Sequence, residues 1–551
     1  MSFKSQTTRF ADTNGTDDSG SVDISFLESN TPNAPGDTAP SVVQAAQSLT
    51  SNDFLPVSAL RSAAVPRMTT TTRTTATTPA VTSGTSSASS IPSWIKSLST
   101  ASIEADMAAA DVNGTVTYAG LLKLFNDLDT KLGNTKLTAA EMADLKTIAA
   151  NLNNGLSTSS YLTSITQALV KGNAANATWT GGGAGVTALG NLATGSSATQ
   201  LSELIGKWFM GTDLPSSQVD VDGTNFSVNY SASSKPLFSS SGPSMNDINQ
   251  GYLGDCYLLS CLAEVANHNS SDITSMFTSN GNNTYGVRFY VDGKADYVTV
   301  NTSLADAGSI FNYGGSDVWA SLAEKAYAQL QASGAVTGNS ISGNSWTAIG
   351  NGGAPEMALE EITGATAITD FDASGGSWSK VVYNQSFGVT GSTSGNSTSS
   401  VLSTVAADLA AGDDVILSSY ANATDASGKT TLVADHAMSV YGYDSKTGML
   451  EIRNPWGTET GQTWDTTFEV SLSTLLSDQD TITVDNVGQT KTASVGSGSV
   501  GTAVGADTTG LSAAASGFVQ AIALLPGGGL ASTGLSQTAG TNQSTLASPL
   551  A

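Results

Sequence analysis

Apolar side chains that could build a core are concentrated in the middle of this 551-residue chain. Residues 1–92 contain the run MTTTTRTTATTPAVTSGTSSASS, and residues 486–551 are again rich in Gly, Ser, Ala and Thr. Segments of this composition bury too little apolar surface to offset the conformational entropy that is lost when they become ordered. We therefore predict that residues 1–92 are low-complexity and mostly disordered, and that residues 486–551 form a tail without another large domain.

The stretch between residues 93 and 212 has the apolar spacing of amphipathic helices. In LTAAEMADLKTIAANL, Thr138 and Glu141 have the spacing of a capping box, the reciprocal pair of hydrogen bonds that starts a helix. SATQLSELIGKWFMG predicts a further helix. We interpret this region as a mainly helical prosegment or docking module, because it precedes the richer region described next.

Residues 213–485 combine aromatic side chains, strand-like alternation and helical periodicity, which predicts an α+β domain. YGVRFYVDGKADYVTVN reads as two strands joined by a tight turn at Asp292-Gly293. VWASLAEKAYAQL predicts a buried amphipathic helix.

The formal net charge of −25 argues against whole classes of partner. A chain this acidic repels phosphate backbones and anionic lipids, so we expect no binding to nucleic acid or to membrane surfaces. The first residues lack the apolar run of a signal peptide, and no segment is long enough to be an integral membrane span. We expect a soluble protein, either cytoplasmic or secreted without a cleaved N-terminal signal, whose oligomeric state the sequence leaves open.

Both cysteines lie in NDINQGYLGDCYLLSCLAEVANHN. Cys256 follows a turn-forming stretch and is predicted to begin a helix, where the helix dipole favours a thiolate, although the neighbouring Asp255 opposes it. Cys261 falls on the apolar face of that helix and is predicted to pack as a small hydrophobe. An activated thiol needs an imidazole partner, and His268 lies about 18 Å along the same helix. This leaves His436, the other of two histidines in the chain.

His436 lies in ADHAMSVYGYD, a strand-like run that a turn within residues 444–448 connects to a second strand. If the hairpin is centred near Ser445, Asn454 comes opposite His436 and could hold the imidazole in one tautomer. Trp456 could then shield that bond from water. A slip of one residue would move Asn454 to the other face, so the register is a hypothesis.

Three motifs follow one another along the chain: DINQGYLGDCYLL, DHAMSVYGY and IRNPWGTE. They closely resemble the catalytic motifs of the calpain family of papain-like cysteine proteases, and the resemblance covers roughly residues 230–475. It implies a two-lobed papain-like core at residues 213–485, with a helical lobe and a β-rich lobe. The animal family's β-sandwich and calcium-binding helical domains have no counterpart in the short tail.

The resemblance implies a role for four side chains. Cys256 would be the nucleophile, His436 the general base and then acid, and Asn454 the residue that orients the imidazole. Gln250 would donate its amide to the oxyanion together with the Cys256 backbone N–H. The implied reaction is hydrolysis of peptide bonds in protein or peptide substrates through an acyl-enzyme thioester.

The resemblance also implies substrate-binding residues. Gly352 and Gly353 would let the substrate backbone approach closely, since glycine has no Cβ. Trp456, beside the orienting Asn454, completes this set.

Calcium is the implied cofactor, in a regulatory rather than a chemical role. Its ligands would be the Gly242 backbone carbonyl and the carboxylates of Asp247 and Asp317, oxygen ligands of the kind that calcium prefers. Asp317 stands where the family typically has Glu, so its reach is one methylene shorter. Asp435 also departs from the family, which has Gly there, and its charge could raise the pKa of His436.

Two alternatives remain open. The chain could be a catalytically silent calpain-like binding module, although Cys256, His436, Asn454 and Gln250 are all retained together. It could also be an extracellular adhesive or structural protein, as its Thr-, Ser- and Gly-rich ends suggest.

Overall fold

The computed structural model describes residues 91–221, 223–307, 310–335, 341 and 343–490. The predictions for residues 1–92 and 486–551 therefore fall almost entirely outside the described residues. No helix within the described ranges combines the length and the apolar composition that a bilayer span requires.

Short helices and two-stranded hairpins make up residues 93–210. Their bounds are α1 Ser93–Lys96, α2 Ala101–Ala110, β1 Asp111–Val112, β2 Thr115–Val116, α3 Tyr118–Leu132, α4 Ala139–Asn151, α5 Ser160–Lys171, a 3-10 turn Ala174–Ala177, β3 Thr178–Trp179, β4 Thr187–Ala188, α6 Ala198–Ile205 and a π-helical turn Gly206–Met210. The predicted capping box is confirmed at the start of α4: the Thr138 hydroxyl accepts the Glu141 N–H, and the Glu141 carboxylate accepts the Thr138 N–H. The apolar faces of these helices meet in a first core that includes Phe125, Leu145 and Phe209.

A second core is built around one buried helix. Its elements are β5 Gln218–Val221, β6 Thr224–Ser227, β7 Asn229–Ala232, a 3-10 turn Met245–Asp247, α7 Cys256–His268, α8 Ser270–Met276, β8 Phe277–Ser279, β9 Thr284–Val291, β10 Lys294–Asn301, β11 Ser303–Asp306, α9 Trp319–Leu330, a 3-10 turn Gln331–Ser333, α10 Thr347–Gly350 and α11 Pro355–Thr363. Every residue of α7 from 257 to 266 is buried, although the sequence shows one apolar face. The helix is covered on several sides because α11 packs against it as well as strands from the next region.

The hairpin of β9 and β10 turns where the sequence predicts. Val291 pairs with Lys294, and the two residues between them, Asp292 and Gly293, have φ of 51° and 68°. Positive φ at both central residues is the signature of the type I′ turn, whose twist matches that of paired strands. The Asp292-Gly293 prediction is confirmed.

An antiparallel sheet of eight strands forms the third part of the described chain. Its elements are β12 Ala367–Ser374, β13 Ser377–Asn384, β14 Val389–Asn396, α12 Thr398–Ala411, β15 Val415–Ser419, β16 His436–Asp444, β17 Met449–Arg453, β18 Thr467–Val470, α13 Leu472–Asp478 and β19 Thr481–Val484, with strand order β14-β13-β12-β19-β15-β16-β17-β18. Ile416 and Ala437 belong to the second core, whereas Leu417 and Met438 belong to a third core. Successive side chains of a strand point to opposite faces, so α7 covers one face of the sheet and the third core lies on the other. The α+β prediction is confirmed.

The helical region packs onto hairpin β9–β10 through Tyr161 of α5. Its hydroxyl lies 2.9 Å from Thr299 Oγ1 and accepts a hydrogen bond from Asn280 Nδ2 at 3.0 Å. The Thr299 hydroxyl itself donates to the Trp208 carbonyl, so the Tyr161 hydroxyl must be the donor to Thr299. The tyrosine ring also covers Gly286, where an added Cβ would lie 2.5 Å from the ring.

Three of the buried carboxyl groups form no salt bridge within the described residues. Asp255, Glu360 and Asp480 are each at most 1% exposed. Burial raises the pKa of each of these side chains to about 7, because the charged form is poorly solvated. The fold therefore binds protons that an unfolded chain would release.

We predict that Gly286→Ala loosens the docking of the helical region. The new methyl group has to displace the Tyr161 ring, and overpacking of this kind costs about 1–3 kcal/mol. Gly391→Ala is the matched control, because it lies in strand β14 and an added Cβ there meets nothing within 4 Å. Thermal unfolding measures the effect, and equal melting temperatures of the two variants would contradict the prediction.

We also predict that the fold becomes more stable as the pH is lowered from 8 to 5. Between the unfolded pKa of about 4 and the folded pKa near 7, the folded state holds more protons than the unfolded state, so the free energy of unfolding falls as pH rises. Each group contributes up to about 1.4 kcal/mol per pH unit. His436 opposes the trend, since burial lowers its pKa to about 4.

Asp480→Asn tests this prediction at one position. Asp480 Oδ1 accepts the Tyr420 N–H, and the amide oxygen of asparagine can keep that bond while imitating the protonated acid. Denaturant unfolding at several pH values should give a shallower pH dependence in the variant. An unchanged slope would show that Asp480 does not take up a proton on folding.

Candidate active site

Cys256 is the first residue of α7, and Asp255 occupies the N-cap position without a side-chain capping bond. The Ala437 backbone N–H in β16 lies close enough to the Cys256 thiol to lower its pKa. Farther along, the Ser439 hydroxyl of β16 donates to the Ser260 carbonyl of α7 at 2.9 Å. The sulfur therefore lies against the strand that begins with His436, the residue next to Ala437.

The other cysteine and the other histidine lie away from this point. His268 ends α7, with Nδ1 3.4 Å from Glu264 Oε1 and 3.6 Å from Asp414 Oδ1. Cys261 is fully buried, and its Sγ makes a weak 3.6 Å contact to the Pro355 carbonyl. Both positions agree with the sequence argument that left Cys256 and His436 as the pair.

The tautomer of His436 follows from the bonds around Asn454. His436 Nε2 lies 3.0 Å from Asn454 Oδ1, and that same oxygen accepts the Trp456 backbone N–H at 3.0 Å. A backbone N–H can only donate, so the shared atom is the amide oxygen and Nε2 must carry the proton. The lone pair of the neutral ring is therefore on Nδ1, where it can act as a base.

Trp456 covers this arrangement as predicted. Its ring centroid lies 4.9 Å from that of His436, and Trp464 packs edge-on against Trp456 at 5.5 Å. Asn454 is fully buried and His436 is 7% exposed. Water is therefore largely excluded from the bond between the amide and the imidazole.

The predicted hairpin register is wrong by two residues. A register centred near Ser445 pairs Asn454 with His436, whereas the observed ladder pairs Ser439 with Arg453 and contains a bulge in β16. Asn454 lies just beyond the end of β17. Because a shift of two positions keeps a side chain on the same face, the amide still reaches the imidazole.

Burial favours the neutral form of both the Cys256 thiol and the His436 imidazole. Burial raises the pKa of the Cys256 thiol to about 11, the Ala437 N–H lowers it, and the charge of Asp255 raises it further. Burial also lowers the pKa of His436 to about 4, against the opposing effect of its bond to Asn454. In this arrangement a thiolate forms only as its proton moves to a base.

Asp435 does not act on the imidazole in the way the sequence suggested. Its side chain is exposed, whereas burial is the dominant influence on His436 and lowers rather than raises the pKa. The Asp435 backbone has φ of 56°, in the left-handed region that favours glycine. The family's glycine at this position therefore has a conformational reason.

Gln250 lies in the loop before Cys256 and is 6% exposed. Its amide nitrogen donates to the Leu253 carbonyl at 2.8 Å and lies 3.4 Å from Asp255 Oδ1. The amide oxygen is buried and has no hydrogen-bond partner among the described residues. The side chain is thus held inside the loop that leads to the thiol.

Gly352 lies alongside the same loop. Its N–H donates to the Gly254 carbonyl at 2.9 Å, and the Gly254 N–H donates to the Gly350 carbonyl at 3.1 Å. Gly352 has φ of 76°, and an added Cβ would meet nothing within 4 Å. Gly353 follows directly, so the structure brings the predicted glycine pair close to the thiol loop.

The predicted calcium ligands come together near the start of α9. Asp247 Oδ2 accepts the Ser244 N–H and the Trp319 indole N–H, each at 2.8 Å. Asp317 Oδ2 accepts the Ser239 N–H at 2.8 Å, and the charge of Asp247 acts on it. Within the described ranges no group of three or more His, Cys, Asp or Glu side chains is arranged to hold a metal ion.

Sequence reasoning missed the bonds that join the loop before Cys256 to the loop after β17. These bonds run from the Gln250 N–H to the Pro455 carbonyl (2.8 Å), from the Thr458 N–H to Asn249 Oδ1 (3.3 Å) and from the Arg453 guanidinium to the Ile248 carbonyl (3.1 Å). Arg453 is a buried cation beside Asn454 in IRNPWG. Its charge within this motif could have indicated a hydrogen-bonding role. Nothing in the sequence distinguished Asn249.

Comparison with known proteins agrees with this geometry. Residues 228–474 match the family model described as calpain family cysteine protease. The calpain-type cysteine protease ADL1 of Oryza sativa subsp. japonica is 29% identical over 249 residues, which cover 42% of this chain and 10% of that protein. The chain thus spans about a tenth of the length of this curated relative. Residues 228–474 of this chain belong to the calpain family of cysteine proteases.

Proposed function

We propose that this protein is a calpain-like cysteine endopeptidase that hydrolyses peptide bonds in protein substrates. The observation that carries the proposal is the pair of bonds to Asn454 Oδ1, which leaves His436 Nδ1 as a base on the strand against which Cys256 rests. These side chains have the roles of nucleophile, base and orienting amide in thiol proteolysis.

The first half of the reaction forms a thioester. His436 Nδ1 takes the thiol proton as Cys256 Sγ attacks the substrate carbonyl carbon, and the C=O electron pair moves onto oxygen. The Cys256 N–H and the Gln250 amide would stabilise that oxyanion; one amide hydrogen stays on the Leu253 carbonyl, and the hydrogen that faces Asp255 Oδ1 at 3.4 Å would turn to the substrate. The C–N bond then breaks, and His436 returns its proton to the leaving amine.

The second half releases the acid. His436 accepts a proton from water as the water oxygen attacks the thioester carbon, and the C–S bond breaks. The thiolate recovers the proton from the imidazolium, and the carboxylic acid product leaves. Substrate would lie between the second core and the sheet, along Gly352, Gly353 and Trp456, which is the arrangement expected of a two-lobed papain-like core.

Calcium would act as a regulator in this scheme. Two carboxylates that influence each other, Asp247 and Asp317, and the Gly242 carbonyl form an oxygen set that fits calcium; Ser239 binds both Asp317 and that carbonyl. A bound calcium ion would neutralise the two carboxylates. These residues flank the loop that carries Gln250. A change in how firmly they are held would therefore affect the oxyanion site.

One observation favours the alternative of a silent calpain-like module. Burial raises the pKa of the thiol and lowers the pKa of the imidazole, and both shifts oppose a preformed thiolate–imidazolium pair. The endopeptidase proposal therefore requires the proton transfer to occur during attack.

We also propose that residues 93–212 form a docking module rather than a prosegment. Tyr161 and Trp208 make hydrogen bonds to Thr299 in hairpin β9–β10. This partner is in the second core and lies outside the group of Cys256, His436 and Asn454.

Cys256→Ala should abolish hydrolysis of unfolded casein, with a loss of at least about 10³-fold, because no other group can form the thioester. Cys261→Ala is the matched control, since it removes the other thiol of the same helix and should keep activity. Release of acid-soluble peptides is the measurement. Continued cleavage by the Cys256 variant would contradict the assignment, and inactivity of the native protein with and without calcium would favour the silent module.

Asp317→Asn should weaken stabilisation by calcium, because it removes one of two charged ligands. The measurement is the rise in melting temperature in calcium chloride relative to a chelator, since a ligand that binds the folded state stabilises it. Asp306→Asn, at an exposed acid on β11, controls for loss of surface charge. A calcium response that is equal in both variants would exclude Asp317 from the site.

A further inference from the structure

Two buried carboxyl groups lie directly behind the nucleophile. Asp255, the residue before Cys256, is 0% exposed, and Glu324 in the middle of α9 is 1% exposed. Neither group forms a salt bridge among the described residues. Nothing in the scheme above uses Glu324.

The two side chains lie beside each other, and each acts on the pKa of the other. Within the described ranges, no N–H or hydroxyl group donates to Asp255 Oδ2, although that atom is buried. Two ionised carboxylates buried side by side would repel each other, so one of them holds a proton in this contact. Burial and the Asp255 charge both raise the pKa of Glu324 well above its usual range, which places the proton on Glu324 and the charge on Asp255.

Each acid also holds a segment of the active site. Both Glu324 oxygens accept the Asn312 N–H, at 3.1 and 3.2 Å, and Asn312 Oδ1 accepts the Asn249 N–H at 2.8 Å. On the other side, Asp255 Oδ1 faces the Gln250 amide nitrogen at 3.4 Å. The acid pair therefore connects α9 to the loop that carries the oxyanion amide.

The charge of this pair acts on the thiol. Asp255 is the nearest acid in sequence to Cys256, and its charge raises the pKa of the thiol in addition to burial. Glu324, on α9, is the ionisable group that faces Asp255, and His436 lies on the strand that covers the thiol from the other side. A negative charge here opposes thiolate formation, whereas the same charge one residue farther away would oppose it less.

We propose that Asp255 and Glu324 are positioning residues that share one proton, hold the Gln250 amide in the loop before Cys256 and place a negative charge beside the thiol. The inference rests on the proposed function only for the roles of Gln250 and Cys256. The pair restrains the resting thiol and keeps the oxyanion amide in place.

Two isosteric variants separate this role from simple support of the fold. In Glu324→Gln the new amide donates to Asp255, so the charge stays beside Cys256. In Asp255→Asn the new amide donates to Glu324, so any remaining charge moves to α9. Both variants keep a hydrogen bond in the same place, and they differ in where the charge lies.

The measurement is the rate of Cys256 alkylation by iodoacetamide at pH 8 in the full chain, followed by mass spectrometry of the peptide. A shift of about one pKa unit makes Asp255→Asn react about tenfold faster than Glu324→Gln. Glu264→Gln, a buried acid eight residues farther along α7, is the control and should react like the native protein. Equal rates in Asp255→Asn and Glu324→Gln would overturn the proposal.

A second measurement covers the case in which Asp255→Asn does not fold. The infrared difference spectrum between native protein and Glu324→Gln at pH 8 should contain the carbonyl band of one protonated carboxyl group, and its absence would overturn the shared proton. Casein hydrolysis by the native protein is measured in parallel. If the native protein does not hydrolyse casein but the alkylation rates follow the expected order, the result contradicts the protease function and still supports the acid pair.

Discussion

The complete burial of α7 is the constraint on which the rest of this structure depends. Residues 257–266 are all buried, between α11 on one side and strand β16 on another. A helix enclosed in this way can neither rotate nor slide without opening the second core, because protein interiors are close-packed. Its first residue is therefore held in one place, and that residue is Cys256. The hydrogen bonds of Gln250, Asn249 and Arg453 across to the sheet then fix what surrounds the sulfur.

The chain handles its many acids by protonation more than by pairing. It has 46 acidic and 21 basic side chains, so cations are too few to neutralise every buried carboxyl group. Glu264 and Glu361 are buried with pKa values raised well above their usual range, and Glu361 accepts the Tyr327 hydroxyl. A protonated acid is neutral and can still donate one hydrogen bond, which makes it easier to bury than a carboxylate. The same preference for neutral groups extends to the thiol and imidazole of the site.

Local features of the fold could be predicted because their causes are local. The capping box at Thr138, the type I′ turn at Asp292-Gly293 and the helix start at Cys256 each depend on a few neighbouring residues. The register of the His436 hairpin could not, because neither the position of its turn nor the bulge in β16, which changes the pairing by one residue, has a sequence signal. The net displacement of the pairing near Asn454 is an even number of residues, so the expected contact between Asn454 and His436 is kept.

Long-range contacts were the other part that the sequence could not reveal. Glu324 looked like one charge on an amphipathic helix, and its partner Asp255 is 69 residues away. Gly286 and Tyr161 are even farther apart in the sequence, and only folding brings the ring over the glycine. The motif resemblance predicts which groups react, but it carries no information about the side chains that support them.

The close fit of Tyr161 over Gly286 has a consequence for how the molecule comes apart. Detaching the helical region would expose the tyrosine ring and leave a bare strand surface on β9, with the hydroxyls of Tyr161 and Thr299 losing each other. Neither surface is suited to water on its own. The helical region and the second core should consequently unfold together in one cooperative transition rather than as two independent domains.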